Sequence, residues 1–151
     1  MNVPITQPRT PEQRRRDTEH RLANDVDCWV ASASDDAAYL IPLSFSWDGR
    51  TLLLAMARSQ RTGANLAKNP TVRIALGATR DVVLIDGDVD ILGIDELPPE
   101  EGDRFAARCG FDPRSLAGYS WFRVTPRRIQ AWREEDELSG RDLMRAGRWL
   151  V

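Results

Sequence analysis

The sequence predicts a mostly β fold, a small antiparallel barrel of six strands with helices at its periphery. Two observations carry that prediction. Six short apolar runs, Cys28–Ala31, Tyr39–Phe45, Thr51–Ala57, Thr71–Leu76, Val82–Leu92 and Trp121–Trp132, have strand composition and are bounded by turn formers. Three connections, at Asp35-Asp36, Asp48-Gly49 and Gly77-Ala78-Thr79-Arg80, are short enough to require antiparallel neighbours. A parallel doubly wound sheet is therefore disfavoured. With 151 residues and 42% apolar content, the chain supports one domain with a real core.

In chain order, Met1–Arg9 contains two prolines and reads as an extended arm, with the single domain running from 10 to 151. Thr10-Pro11-Glu12-Gln13 matches a capping box, with proline at the first helical position, so a helix should run to about Asn24. Its surface is mostly charged, and only Leu22, Ala23 and Val26 offer an apolar contact near its end. The run Arg14-Arg15-Arg16 reads as solvated helix surface, and so does His20, the one histidine. A second helix spans Ser59–Lys68 and ends at Asn69-Pro70, since proline disfavours a helical residue before it. A third spans Pro98–Cys109. The turn-rich passage from Gly110 to Gly118 follows, either a loop over a site or a plain connection, and a last amphipathic segment covers Glu134 to Arg145.

Composition bounds the function classes. Twenty-one basic against 23 acidic residues leave a formal charge of −2, with no bias toward nucleic acid or anionic membrane. Cys28 and Cys109 form no Cys-x-x-Cys pair, so neither a disulfide framework nor a zinc site is expected, and reduced thiols fit a cytoplasmic protein. The first residues lack the apolar core of a secretory signal, and the longest apolar run, Leu52–Ala57, is too short to span a bilayer. Asp86, Asp88 and Asp90 share one strand face, but they alternate with Ile85, Val89 and Ile91, the pattern of a strand with one wet side; no metal is expected.

The stretch from Leu40 to Pro70 is richest in chemistry. After the Trp47-Asp48-Gly49-Arg50 turn and an apolar strand, Arg58, Ser59, Arg61 and Thr62 cluster where the second helix begins. Free N–H groups at a helix start, two guanidinium forks and two hydroxyls suit a phosphate; an ordinary N-cap at Ser59 with exposed arginines suits the residues equally well. On the last strand Trp121, Arg123 and Thr125 share one face and Phe122 and Val124 the other. Phe122 and Val124 read as core, which leaves Trp121 and Arg123 as candidates for a groove or an interface.

The order Pro42-Leu43-Ser44, Trp47-Asp48-Gly49, apolar strand, Ser59-x-Arg61-Thr62, Asn65-Leu66, Asn69-Pro70, with Phe122–Trp132 as a final strand, resembles the pyridoxamine 5'-phosphate oxidase-like flavin-binding split barrels. The resemblance implies a homodimer with one FMN in each groove between subunits and a small-molecule substrate above it. Leu43, Ser44, Ala55, Met56 and Ala57 would line the isoalloxazine ring, Arg58, Ser59, Arg61 and Thr62 would meet the phosphate, and Trp121 and Arg123 would border the groove. Asn65 is expected to fix a neighbouring loop rather than touch cofactor. The implied activity is hydride transfer between the flavin and a small organic substrate. Alternatives are a reductase of the same fold using the deazaflavin coenzyme F-420, and a non-catalytic flavin or small-ligand module. Two departures argue against the oxidase proper: Thr62 stands where that enzyme often has lysine, and its Arg-x-His substrate pair is missing. No catalytic side chain is identified.

Overall fold

The computed structural model describes residues 7–151, so the extended reading of residues 1–6 lies outside the described part. The strands are β1 (Asp27–Ala33), β2 (Ala38–Ser44), β3 (Ser46–Trp47), β4 (Leu52–Ala57), β5 (Thr71–Ala78), β6 (Asp81–Leu92), β7 (Tyr119–Arg133), β8 (Asp142–Arg145) and β9 (Arg148–Trp149). The helices are α1 (Pro11–Asn24), α2 (Arg61–Lys68) and α3 (Pro99–Cys109). All six expected strands form, in an antiparallel sheet of order β2-β1-β5-β6-β7-β4-β3. The sheet curls until β2 approaches β4 without pairing to it, which leaves a half-barrel split between those two strands.

Two local readings are corrected. The Asp48-Gly49 turn does not join the second and third expected strands. Phe45 is completely buried between β2 and β3, and the hairpin pairs the two-residue β3 with β4 instead. Asp48 Oδ1 accepts the N–H groups of Arg50 and Thr51, and Gly49 takes φ +94°, the left-handed region that glycine enters without strain. The amphipathic segment from Glu134 to Arg145 divides into a short 3-10 turn over Glu135–Glu137 and strand β8, which pairs with β7 and β9. β7 reaches β8 because it bends. Asp86 faces Arg128 and Gly87 faces Pro126, so Arg127 is an extra residue in the ladder. A Cβ on Gly87 would meet Val124 Cγ1 at 2.6 Å.

The interior of the curl holds Val30, Phe45, Leu54, Met56, Ile74, Ile85 and Phe122. A second, smaller cluster lies outside the curl under α3, where Leu53, Ala55, Leu97, Phe105 and Trp121 meet. β4 runs between the two, which is why Leu52–Met56 is buried on both faces and shows no alternation.

Helix α1 packs by polar groups. Its buried residues are Arg14, Thr18 and Leu22, one stripe at a spacing of four. Arg14 is therefore not solvated surface: Nη1 donates to the carbonyls of Ala131, Glu137 and Gly140, and the guanidinium lies beside the Glu137 carboxylate. Periodicity of apolar residues could not reveal this, because the stripe is arginine and threonine. At the other end Arg108, on α3, donates to the carbonyls of Leu22, Ala23 and Asp25 and closes the C-terminus of α1. His20 is exposed, as expected.

Candidate functional site

The split between β2 and β4 is a groove of about 470 Å³ lined by Asp27, Pro42, Leu43, Ser44, Ala55, Met56, Gln60, Phe111 and Tyr119. It gathers four of the residues expected to line a ring. Leu43 and Ser44 come from the edge strand β2, and Ala55 and Met56 from β4, with the Met56 side chain turned into the core, so this part of the wall is strand backbone with Leu43, Ser44 and Ala55. Ser44 Oγ donates to Asp27 Oδ1 at 3.0 Å across the β1–β2 ladder. Phe111 and Tyr119 stand at the two ends of the loop from Gly110 to Gly118. That loop is pinned rather than loose: Arg114 bonds Asp112 and Asp103 and donates to the Pro99 carbonyl.

β4 leads from the groove into α2 through Ala57, Arg58, Ser59 and Gln60. Gln60 occupies the N-cap but makes no side-chain cap bond, so the N–H groups of the first turn are left for other partners. Gly63 lets the helix start lie against the strand end, since a Cβ there would meet Ala57 O at 2.8 Å and Arg58 O at 3.0 Å. Arg58, Ser59 and Arg61 are exposed, and among the described residues neither guanidinium has an ion pair or a hydrogen bond. Arg61 sits 5.9 Å from the Tyr39 ring. Elsewhere arginines mostly face carboxylates, as in Arg73–Asp86, Arg127–Asp88 and Arg80–Glu134. Open guanidiniums beside free N–H groups are what an anion needs.

The four phosphate candidates do not share one pocket. Arg58 and Ser59 stand at the end of β4 next to Gln60, whereas Arg61 borders an adjoining groove of about 470 Å³ with Ser34, Asp35, Asp36, Asn65 and Lys68. Thr62 is completely buried, and its Oγ1 has no hydrogen-bond partner among the described residues. Asn65 is buried too, its Nδ2 donating to Ser32 Oγ at 3.0 Å, so it ties α2 to β1 beside the β1–β2 hairpin.

Trp121 and Arg123 stand apart from the split. Trp121 is fully buried under α3, edge-on to Phe105 at 5.2 Å, with Nε1 donating to the Ile94 carbonyl. Arg123 bonds Thr51 Oγ1 and pairs with Glu101 at 2.7 Å and Asp48 at 3.3 Å. The Glu101 carboxylate holds the Arg123 guanidinium pKa above its usual value despite partial burial. The alternation on β7 holds, with Phe122 and Val124 in the core, but the face opposite Phe122 is covered by α3 within the same chain. Asp27, Gln60, Phe111 and Tyr119 are the groove residues that sequence reasoning missed. Only Tyr119, flanking the last strand, carried any signal.

The thiols are poor nucleophiles. Burial pushes Cys28 up to about 12 and Cys109 up to about 11, so both stay protonated at neutral pH. Asp86 and Asp88 face arginines, and no described helix is long and apolar enough to cross a membrane.

The sequence profile of the pyridoxamine 5'-phosphate oxidase family matches residues 19–133, which takes in the sheet from β1 to β7, the groove and the start of α2. The chain belongs to that family. Comparison with curated proteins gave no match. Among solved structures, the fold is similar to that of an F420 Reductase (TM-score 0.60, 20% identity, 74% of this chain and 94% of that one). The likeness extends also to a FAD-binding protein from Mesorhizobium loti (TM-score 0.61, 18% identity, 76% and 89%) and to General Stress Protein 26 from Bacillus anthracis (0.58, 15%, 81% and 92%). At these identities the likeness is one of fold, and it makes the curled sheet a pyridoxamine 5'-phosphate oxidase-like split barrel.

Proposed function

We propose that this family member is a flavin-dependent oxidoreductase that binds FMN in the β2–β4 split. The observation that carries the reading is the groove itself. Leu43, Ala55 and the strand backbone at Met56, whose side chain packs inside the curl, form a slot, and Gln60 at its end leads to Arg58 and the N-terminus of α2, which has no side-chain cap. A planar ring with a phosphate on a short arm fits that sequence of environments. Ala57, Arg58 and Ser59 would carry the arm, Arg61 would add long-range attraction from the adjoining groove, and the idle Thr62 hydroxyl lies behind them.

FMN, when bound, supplies hydride transfer between a reduced donor such as nicotinamide and a small organic acceptor. The chain supplies what surrounds that chemistry. Leu43 on β2 and Ala55 on β4 would exclude water from the two sides of the slot, Phe111 and Tyr119 extend the Ala55 side, and Arg58 would hold the phosphate. No titrating side chain is needed for such a role, in keeping with the absence of histidine from the barrel.

The related reading, the deazaflavin coenzyme F-420, takes support from the F420 Reductase among the structural neighbours. The adjoining groove weighs toward FMN: Asp35 and Asp36 line it with Arg61 and Lys68, so its charge balances and offers little to an acidic tail.

We propose further that the protein is a homodimer through the outward face of β2 and β1. Leu40 is 59% and Trp29 50% exposed, and the register places Leu40 beside Ala31 and Pro42 beside Trp29, making one apolar surface at the rim of the split.

Titration of the wild type and Arg58→Ala with FMN and with F-420, read by visible absorbance, tests the cofactor reading. Tight FMN binding weakened by the substitution supports it. Binding of F-420 alone moves the protein to the deazaflavin reading; binding without turnover of any donor leaves a flavin-holding module; binding of neither ends the proposal.

A further inference from the structure

We infer that the β2–β4 groove selects substrates that are cationic or donate hydrogen bonds and rejects anionic ones, with Asp27 as the residue that decides. The inference rests on the reading that this groove holds the flavin ring. Within one subunit and among the described residues, Asp27 is the one charged residue lining the groove, and Arg58 and Arg61 belong to the turn and the adjoining groove beyond Gln60. The site is therefore electrically lopsided: positive charge at the α2 end, where a phosphate would be held, and a carboxylate at the β1 end, where the ring's reacting partner would enter.

The Asp27 carboxylate is exposed and is held at one oxygen. It leads β1, its backbone partner in the ladder is Ser44, and the Ser44 hydroxyl donates to its Oδ1 at 3.0 Å. That hydrogen bond uses one acceptor position and leaves Oδ2 without a partner among the described residues. Ser44 thus acts as a positioning residue for Asp27. A carboxylate fixed beside an apolar slot attracts an ammonium or amidinium and repels a carboxylate or phosphate, and the slot offers no basic side chain to offset that repulsion. This separates the chain's substrate class from phosphorylated amines, whose anionic group would meet Asp27 without a countercharge.

The test compares two probes of equal size and opposite charge, benzylamine and benzoate, on FMN-loaded protein. Binding is read from the perturbation of the flavin absorbance, after flavin occupancy has been confirmed for each protein. Wild type is expected to prefer benzylamine by about tenfold, and the preference should shrink as salt is raised. Asp27→Asn, which keeps the hydrogen bond with Ser44, should bring the ratio close to one, and Asp27→Glu should restore it. An unchanged ratio in Asp27→Asn, or a wild-type preference for benzoate, overturns the inference while leaving the flavin site standing. Failure of the wild type to take up FMN at all overturns the site reading and the inference with it.

Discussion

Glu137 accepts the backbone N–H of Arg9 at 2.8 Å through Oε2 and the Arg9 guanidinium Nη2 at 2.6 Å through Oε1, which fastens the entry of α1 to the end of the long strand β7. Glu137 also accepts the N–H of Arg133, and Arg14 lies 3.7 Å away. The Glu137 side chain is completely buried and those of Arg9 and Arg14 are nearly so, which makes the three a charged peg whose outer edge is continued by Asp17 and Asp81.

Acid should loosen that junction. Burial pushes the Glu137 carboxyl upward, but the hydrogen bonds from Arg9 and Arg133 outweigh it and bring it down to about 2 from an ordinary 4.5. Because the folded value is depressed, its stabilisation is complete above about pH 4.5 and is lost as pH falls toward 2. It amounts to about 3 kcal/mol. Glu137→Gln should cost about 3–5 kcal/mol at neutral pH, since buried Arg14 loses its carboxylate partner and Arg9 is left with Asp17 and the more distant Asp81. Urea midpoints measured from pH 7 to pH 3 should fall for both proteins, because Asp17, Asp48 and Asp142 are also held below the usual carboxylate range by their partners, but more steeply for the wild type than for Glu137→Gln; parallel curves would refute the account.

Thr62 gives a prediction with two arms. Its buried hydroxyl lacks a partner, an arrangement that costs about 1–3 kcal/mol. Thr62→Val, which keeps the shape, should therefore raise the urea midpoint of ligand-free protein by roughly 1 kcal/mol. If the hydroxyl serves a bound phosphate, the gain vanishes in saturating FMN. An equal gain with and without FMN would show that Thr62 takes no part in binding.

The contrast between Thr62 and Arg58 shows what the sequence could convey. Both sit in one cluster, and residue type made both phosphate candidates, but which of them faces outward depends on the angle at which α2 leaves β4. That angle is set by the contact of Gly63 with the Ala57 and Arg58 carbonyls. Strands were legible because apolar runs and turn formers are local signals. Leu43, Ser44, Ala55 and Met56 were placed together by family resemblance, and the split confirms only that they share a groove. Trp121 was misplaced because α3, whose docking partner no local pattern announces, covers that face of β7. Arg14 and Asp27 were missed for a related reason: each acts through a carboxylate or hydroxyl distant in sequence.

Arg58 and Arg61 should contribute unequally to cofactor binding. Arg58 belongs to the turn beside Gln60 and can offer a direct charge-assisted bond, whereas Arg61 borders the adjoining groove and faces Asp35 and Asp36 across it. Arg58→Ala should weaken FMN roughly tenfold or more, and Arg61→Ala by only a few fold, with a steeper salt dependence for the second. Fluorescence titration at two ionic strengths checks both. A larger loss in Arg61→Ala would place the phosphate on the far side of α2.

Leu40 offers the sharpest test of assembly. Leu40 stands on an edge strand and is 59% exposed, so a charge there leaves the folded subunit almost undisturbed, with a change within about 0.5 kcal/mol. If the outward face of β2 and β1 joins two copies, Leu40→Glu places two carboxylates in an apolar contact and should weaken the dimer by about a hundredfold. Sedimentation at micromolar concentration should then show wild-type dimer and Leu40→Glu monomer, with unchanged far-ultraviolet dichroism. FMN affinity should fall in the same variant, because a groove at the rim of that face loses the wall that the second copy provides. A wild-type monomer would end the shared-groove reading, and a Leu40→Glu protein that still sediments as a dimer would move the contact to another face.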